Sequence, residues 1–238
     1  MSENGQAKSK ALAEIGEQPV LWHLIKYYQH YGFTEFVIAL GYMAGAIQSY
    51  FENAGYTRLP TNGTGQTQRW RSGALDVTLV DTGLETENGG RIKRLAPYLS
   101  DGTFMLTWCD GLSDVDLPRL IEFHRSHGRL ATLTAVHPPG RFGRLSMVGD
   151  RVSEFSEKTV SDDEWINGAF FVLEPGVFNY IEGDHTQFER DTLAHLAQEG
   201  QLMAYRHRSF WQCMDTVKEQ RALDAMWRER AAPWKVWE

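Results

Sequence analysis

Two aspartates stand where a carboxylate could do chemistry. Asp110, in the segment WCDGLSDVD, directly follows an apolar, strand-forming run and precedes a glycine. Ligands of open α/β sheets bind beyond the carboxyl ends of the strands, so a functional carboxylate is expected there. Asp215, in FWQCMDT, supplies a second carboxylate late in the chain. Because Mg²⁺ takes few protein carboxylates and completes its shell with water and phosphate oxygens, the pair predicts a shared Mg²⁺ site.

Each aspartate also has a purely structural interpretation. Asp110 stands before a glycine, where an aspartate often caps a turn. Asp215 precedes a helical run that begins at Thr216, and an aspartate at this place typically caps the first turn of the helix with its side chain. Spacing along the sequence leaves both interpretations open.

Four further segments carry polar groups that could bind a ligand. The most suggestive is GGRIKR, from Gly89 to Arg94, because a glycine pair leading into a helix exposes amides that attract anions. The others are SEKT with Lys158, INGAFF with Asn167, and PPGRFG with Arg141. Their plainer explanations are a solvated lysine, an Asn-Gly turn and a surface loop.

The elements that must position these groups alternate between helix and strand. Strand-forming runs such as EFVIAL, VTLVDT and FMLTWC alternate with helical runs such as VLWHLIKYYQHY and LPRLIEFHRSHG. This order predicts an α/β fold with a Rossmann-like mixed, mostly parallel sheet and helices on both faces. From Ala131 the runs shorten, and Gly149-Asp150 between two of them indicates a hairpin in a small antiparallel section. Residues 1–238 are predicted to form a single domain.

Composition excludes several classes of protein. A net charge of −7 without a basic run argues against nucleic acid as a partner. The sequence has no apolar stretch of the roughly 20 residues that span a bilayer, so no membrane is expected as a partner. Its two cysteines exclude a disulfide scaffold and suit a reducing compartment, which predicts a cytoplasmic location.

Taken in order, several segments resemble the sugar-1-phosphate nucleotidyltransferases, and among them the cytidylyltransferase branch. The similarity runs from about Ser2 to Glu238. It implies a nucleotidyltransferase fold similar to the GT-A fold, a homo-oligomer, and conversion of CTP and glucose 1-phosphate to CDP-glucose and pyrophosphate. The matching segments are LAEIGEQPVLWHLIKYY, FVIALGY, VTLVDTG, GGRIKRL, the DG of WCDGLSD, ATLTAVHPPGRFG, SEK, INGAFFVL, LAQEGQLMAY, FWQCMDT and APWKVWE.

The resemblance also implies roles for individual residues. Asp110 and Asp215 match the paired aspartates that hold the catalytic Mg²⁺. Lys10 matches a lysine on the nucleotide phosphates, and Lys158 matches a lysine on the phosphate of the sugar phosphate. The remaining matches are expected to bind substrate: Gly90, Arg91 and Lys93 at the nucleotide end, Glu157, Asn167 and Gly168 at the sugar, and Gly111 and Arg141 in matching segments.

The chain departs from the family pattern at its start. The family opens with a strand, central in the sheet, and a glycine-rich loop with a Gly-Thr-Arg core that wraps the triphosphate, and Met1 aligns just after that loop. Two explanations are open for this difference. Either translation starts upstream of Met1, which we favour, or the chain is a truncated homologue that no longer turns over CTP.

Two other functions fit parts of the sequence. A non-catalytic homologue would keep the fold and bind a sugar nucleotide. A metal-dependent glycosyltransferase would instead use Asp114-Val-Asp116 as its metal-binding DxD motif. The second alternative predicts that Asp116, and not Asp215, is needed for activity.

Overall fold

The computed structural model describes residues 9–61, 66–138, 144–156 and 164–238. A 3₁₀ turn at Lys10–Leu12 precedes the first strand, another lies at Pro175–Tyr180, and a π-helical turn covers Phe188–Leu193. The helices are α1 (Val20–His30), α2 (Ala44–Asn53), α3 (Asn88–Arg94), α4 (Ala96–Leu99), α5 (Leu117–His127), α6 (Ala194–Gln198) and α7 (Val217–Arg228). The strands are β1 (Glu14–Ile15), β2 (Gln18–Pro19), β3 (Glu35–Leu40), β4 (Thr57–Leu59), β5 (Thr67–Ser72), β6 (Leu75–Asp81), β7 (Phe104–Thr107), β8 (Gly111–Ser113), β9 (Ala131–Val136), β10 (Arg144–Val148), β11 (Arg151–Ser156), β12 (Ile166–Leu173), β13 (Leu202–Arg206) and β14 (Trp211–Cys213).

Two four-stranded sheets form the centre of the fold. One has the strand order β3-β6-β5-β4 and the other β13-β9-β12-β7. Strands β3 and β6 are parallel, as are β13 and β9, and the other pairs in these sheets are antiparallel. The predicted α/β class with mixed sheets is confirmed, but the prediction of a mostly parallel sheet is wrong, because only two of the six described strand pairs in these two sheets are parallel.

Strands β3 and β7 each lie at the edge of a sheet. Among the described residues, neither has a second strand neighbour, and the apolar side chains of Phe36, Ile38 and Met105 are only partly buried. Each of these strands therefore has one side whose backbone groups are not paired by any strand in the described part of the chain.

Helix α1 packs on both sheets. Its Leu24 and Tyr28 join an apolar cluster with Phe170 of β12, while Leu21 and Ile25 join another cluster with residues of β6. These side chains follow the helical period, so two neighbouring stripes of one helix face two sheets. Helix α1 therefore connects the two halves of the core.

Helix α7 holds the hairpin of β1 and β2 against the rest of the chain. The Gly16 amide donates to Asp224 Oδ1 at 2.9 Å, and Gln220 Nε2 donates to the Glu14 carbonyl at 2.9 Å. Gly16 has a φ of +59°, and a Cβ there would overlap the indole of Trp227. Glycine is needed here both for the left-handed backbone and for the close approach of the ring.

The tryptophan-rich end of the chain covers the protein's own core. Trp234 is fully buried, stacks on Phe210, and donates its indole N–H to His23. The end therefore packs within the chain. Burial of aromatic rings on this scale contributes strongly to stability.

Some elements differ from those that the sequence predicts. Strands β4 and β5 were not predicted from the apolar runs of the sequence. Only Trp70 of β5 is buried, so neither strand carries a run of apolar residues. The helix expected to follow the glycine pair of GGRIKR is short: α3 ends at Arg94, and α4 starts after a break at Leu95, with Pro97 in its first turn. The predicted hairpin at Gly149-Asp150 is confirmed by the antiparallel pairing of β10 and β11. None of the helices in the described ranges is long and apolar enough to cross a bilayer.

Candidate active site

Two short strands bring Asp110 and Asp215 together. Asp110 lies between β7 and β8, and Asp215 lies between β14 and α7. Strands β8 and β14 are antiparallel, with Gly111 opposite Cys213, and the Met214 amide donates to the Asp110 carbonyl at 2.7 Å. This pairing places both carboxylates at the carboxyl end of β7, as the sequence predicts for Asp110.

The ammonium group of Lys10 bridges the two carboxylates. Lys10 Nζ donates to Asp110 Oδ2 at 3.1 Å and to Asp215 Oδ1 at 2.9 Å. The pKa of Lys10 is raised above its usual value, chiefly by the hydrogen bond to Asp215. Burial opposes this effect, while the hydrogen bond to Asp110 and the charges of both aspartates add to it. The two aspartates therefore already share one cation, and that cation is part of the protein.

The structural interpretation of Asp215 is not what the fold shows. Thr216 is the N-cap of α7, where its hydroxyl accepts from the Glu219 amide at 3.2 Å. Glu219 Oε2 in turn accepts from the amides of Thr216 and Asp215, which completes a capping box. The helix is therefore capped without the Asp215 side chain, which is turned to Lys10.

A cleft of about 450 Å³ opens beside the two aspartates. It is wide enough for a small ligand with polar groups. Its lining combines aromatic rings with carboxylates and one amide side chain. The lining residues are Trp108, Asp110, Pro138, Ile166, Asn167, Ala169, Glu189, Trp211, Cys213 and Asp215.

A β-bulge in β12 forms one wall of the cleft. The pairing of β12 with β9 shifts between Asn167 and Phe171, and Ala169 has a φ of +60°. A left-handed backbone costs a residue with a side chain about 1–2 kcal/mol, and such strain persists only where neighbours hold it. Asn167 Oδ1 accepts from the Ala169 amide at 2.9 Å, and Trp211 Nε1 donates to the Gly168 carbonyl at 2.8 Å.

Arg91 and Lys93, expected at the nucleotide end of the site, have backbone partners in this structure. The Arg91 guanidinium donates to the carbonyls of Leu40 at 3.0 Å and Gly83 at 2.8 Å. Lys93 Nζ donates to the Phe178 carbonyl at 2.6 Å. These bonds tie α3 to the end of β3 and to the 3₁₀ turn at 175–180. Their roles in substrate binding stay predictions.

The glycines at the start of α3 allow close packing. A Cβ at Gly90 would lie 2.6 Å from Asp184 Cα, so only glycine fits against this loop. The Gly89 amide donates to the Thr186 carbonyl at 3.0 Å and to Asn88 Oδ1 at 2.8 Å. This amide of the predicted anion-binding turn therefore has partners within the protein.

Asp114 and Asp116, the alternative DxD pair, have structural partners. Asp116 is the N-cap of α5 and accepts from the Arg119 amide at 3.0 Å. Asp114 accepts from Ser209 Oγ at 2.6 Å and lies 2.9 Å from the buried His207. Neither lines the cleft beside Asp110, so the geometry gives no support to the glycosyltransferase alternative.

Three expected site residues, Glu157, Lys158 and Arg141, lie outside the described residues. Gly111 is buried at the start of β8, directly after Asp110. The sequence reasoning did not single out Trp108, Glu189 or Trp211 as cleft residues. For Trp211, the signal was its position four residues before Asp215, at the start of the short strand β14.

Comparison with known proteins identifies the family. The chain is 42% identical to the glucose-1-phosphate cytidylyltransferase of Salmonella typhi and 40% identical to a probable glucose-1-phosphate cytidylyltransferase of Bacillus subtilis. Each alignment covers 100% of this chain and 95% of the relative. No protein-family model matches the chain.

Solved structures show the same fold at lower identity. HddC from Yersinia pseudotuberculosis superposes with a TM-score of 0.68 at 19% identity, over 92% of this chain and 89% of that one. A UDP-glucose pyrophosphorylase complexed with UDP-glucose gives a TM-score of 0.64 at 13% identity, over 93% of this chain and 90% of the other. The fold and the full-length similarity agree, and the chain belongs to the glucose-1-phosphate cytidylyltransferase family.

Proposed function

We propose that this protein converts CTP and glucose 1-phosphate to CDP-glucose and pyrophosphate. A phosphate oxygen of glucose 1-phosphate attacks the α-phosphorus of CTP, and the bond from that phosphorus to the bridging oxygen of the β-phosphate breaks. The electron pair leaves with pyrophosphate, so no covalent intermediate on the protein is needed. The relatives named above, at 40–42% identity over the whole chain, support this reaction.

The observation that carries the proposal is the pair of carboxylates sharing one cation. Asp110 and Asp215 both contact Lys10 Nζ, so the ammonium group stands in for a positive ion between them. Carboxylate oxygens are the ligands that Mg²⁺ prefers, and few protein ligands suffice because phosphate and water complete the shell. These residues therefore fit Mg²⁺, which when bound would neutralise negative charge on the phosphates of the nucleotide.

The protein's own residues then orient the reactants. Lys10 is placed to meet phosphate oxygens once it leaves the aspartates, and Asn167 lines the cleft beside them. Nucleotidyl transfer depends mainly on holding the reactants in line and neutralising charge. Lys158 and Glu157 are proposed to bind the sugar phosphate, Arg141 and Gly168 to line the same end, and Gly90 to line the nucleotide end.

Oligomeric state and location complete the proposal. We expect a homo-oligomer from the resemblance to the family. Neither Cys109 nor Cys213 is part of a disulfide bond, which suits the reducing environment of the cytoplasm. CTP and glucose 1-phosphate are the proposed partners.

The test is pyrophosphate release from glucose 1-phosphate, Mg²⁺ and each of CTP, UTP, dTTP and GTP. We expect release with CTP above the others, both in this chain and in one extended by a strand and a glycine-rich loop.

Asp110→Asn and Asp215→Asn should each lower turnover by about a hundredfold or more. Each substitution removes one of the two carboxylates that would hold Mg²⁺ against the phosphates of the nucleotide.

A matched control is Asp116→Asn, which removes a nearby carboxylate but keeps the N-cap of α5. Its turnover should equal that of the wild-type protein. Loss of activity in this variant, with Asp215→Asn still active, would favour the glycosyltransferase alternative. No release with any nucleotide from either chain would leave the non-catalytic homologue as the better description.

A further inference from the structure

The bulge in β12 needs support from outside its own strand. Ala169 holds a φ of +60°, in the left-handed region that disfavours residues with a Cβ. Asn167 supports it locally, because its Oδ1 accepts from the Ala169 amide. Gly168 is packed tightly, since a Cβ there would lie 2.8 Å from Val136 Cγ1 and 3.0 Å from the Thr134 carbonyl. The bulge is therefore a built feature of the cleft wall.

Trp211 supplies the support from another element. Its indole N–H donates to the Gly168 carbonyl at 2.8 Å, across 43 residues of sequence. Trp211 begins β14, pairs with Ser113 of β8, and precedes Asp215 by four residues. The Trp211 side chain therefore links two parts of the cleft. One part is the pair of strands β8 and β14, which places the two aspartates, and the other is the bulge in β12.

The hydrogen bonds around Asn167 decide which end of its amide is available. An amide N–H of the backbone can only donate, so the group that accepts from Ala169 is the Asn167 carbonyl oxygen. The Nδ2 group is then the end left for the cleft, which Asn167 lines. A donor at this position fits an acceptor on the ligand, such as a hydroxyl or phosphate oxygen.

We propose that Trp211 is a positioning residue for the sugar phosphate. It fixes the Asn167–Gly168–Ala169 bulge relative to Asp110 and Asp215, so that the Asn167 donor and the metal-binding pair meet one ligand at a set separation. This inference rests on the proposed function and deepens it. It assigns Trp211 an effect on the sugar phosphate end of the cleft and none on the nucleotide end.

The test compares Trp211→Phe with Trp211→His. Phenylalanine keeps an aromatic ring but has no N–H, whereas histidine carries Nε2 at the ring position of the indole Nε1. For Trp211→Phe we expect the KM for glucose 1-phosphate and the Kd for CDP-glucose to rise about fivefold, the effect of losing one hydrogen bond. The KM for CTP should stay within about twofold, and Trp211→His should recover most of the loss.

Two substitutions of Asn167 separate holding the bulge from binding the ligand. In Asn167→Asp the carboxylate still accepts from the Ala169 amide, but the donor is lost. In Asn167→Ala both are lost. If Trp211 acts by placing the Asn167 donor, Trp211→Phe should weaken CDP-glucose binding by less than about twofold in both Asn167 variants, because the group that it positions is already gone. A further loss of the full size in the Asn167→Asp protein, where the bulge is still held, would overturn that route. Trp22→Phe, which removes an indole outside the cleft, is the control.

The outcomes divide cleanly between this inference and the proposed function. If the wild-type protein is active and Trp211→Phe leaves the KM for glucose 1-phosphate and the Kd for CDP-glucose unchanged, the positioning role is overturned and the proposed function stands. Equal rises in the KM values for CTP and glucose 1-phosphate, with a fall in Tm of more than about 5 °C, show a merely structural role and also overturn it. Absence of both turnover and CDP-glucose binding in the wild-type chain overturns the proposed function, and the inference with it.

Discussion

Protonation of His23 is predicted to destabilise this protein in mild acid. His23 is fully buried, with the aromatic rings of four tryptophans within 6.3 Å of its own: Trp22, Trp227, Trp234 and Trp237. The Ile15 carbonyl lies 2.8 Å from Nε2 and can only accept, and the Trp234 indole donates to Nδ1 at 3.3 Å. Nε2 therefore carries the proton and Nδ1 accepts, so the ring is held neutral.

The magnitude follows from the pKa of His23 in the two states. Burial lowers this pKa from 6.5 to about 4, and the bond to the Ile15 carbonyl opposes only part of that effect. Between these values the unfolded chain binds a proton and the folded chain does not, so the free energy of unfolding rises with pH. The difference is worth about 3 kcal/mol, present in full above pH 6.5 and lost as the pH falls to about 4.

The assay is urea unfolding of the wild-type protein and of His23→Gln between pH 7 and pH 4. Glutamine keeps a donor and an acceptor but does not titrate, while the acidic groups common to both proteins contribute equally and cancel. Wild-type stability should exceed that of the variant at pH 7, and the difference should shrink by about 3 kcal/mol on going to pH 4. Parallel stability curves over this range would refute the reasoning.

Two further predictions concern Lys10 and Gly16. The Lys10→Ala protein should bind Mn²⁺ alone about tenfold more tightly than the wild-type protein, because removing the ammonium group leaves both carboxylates to the metal, while its turnover should fall. Calorimetry measures the affinity, with Lys26→Ala as the control. Equal affinities in the two variants would show that Lys10 does not compete with the metal. Gly16→Ala should lower Tm by roughly 5–10 °C, since the new Cβ meets Trp227 as well as a φ of +59°. Gly128→Ala, with a φ of +62° and open space around it, should lower Tm by only about 2–4 °C, and equal losses in the two variants would contradict the overlap with Trp227.

Local sequence patterns were enough for the parts of the fold that depend on local chemistry. The apolar runs at β3, β6, β7 and β9 form strands, and β6 buries Leu75, Val77 and Leu79 at strand spacing. Asp110 is found at the sheet edge that its place after β7 predicts. The position of Asp215 relative to Asp110 is different, because it depends on the pairing of β8 with β14. Two strands of three residues carry too little pattern to predict that pairing.

Other features depended on contacts that no local pattern reports. The sequence GGRIKR predicts an anion site, but Arg91 finds backbone carbonyls from β3 and from the loop after β6. The left-handed Ala169 is held by Trp211 from a strand 43 residues beyond Gly168, and alanine itself gives no sign of it. Strand β5 was missed because its polar residues face solvent and its apolar signal is one tryptophan.

The contacts of α7 and the chain end have a consequence for the order of events during synthesis. Lys10 meets Asp215 across 205 residues, Gly16 meets Asp224 across 208, and His23 meets Trp234 across 211. Contacts of such separation form late, because they require closure of nearly the whole chain. On the proposed role of Asp215, a nascent chain stays catalytically silent until residue 215 has left the ribosome, and an incomplete product that ends before this residue consumes no nucleotide.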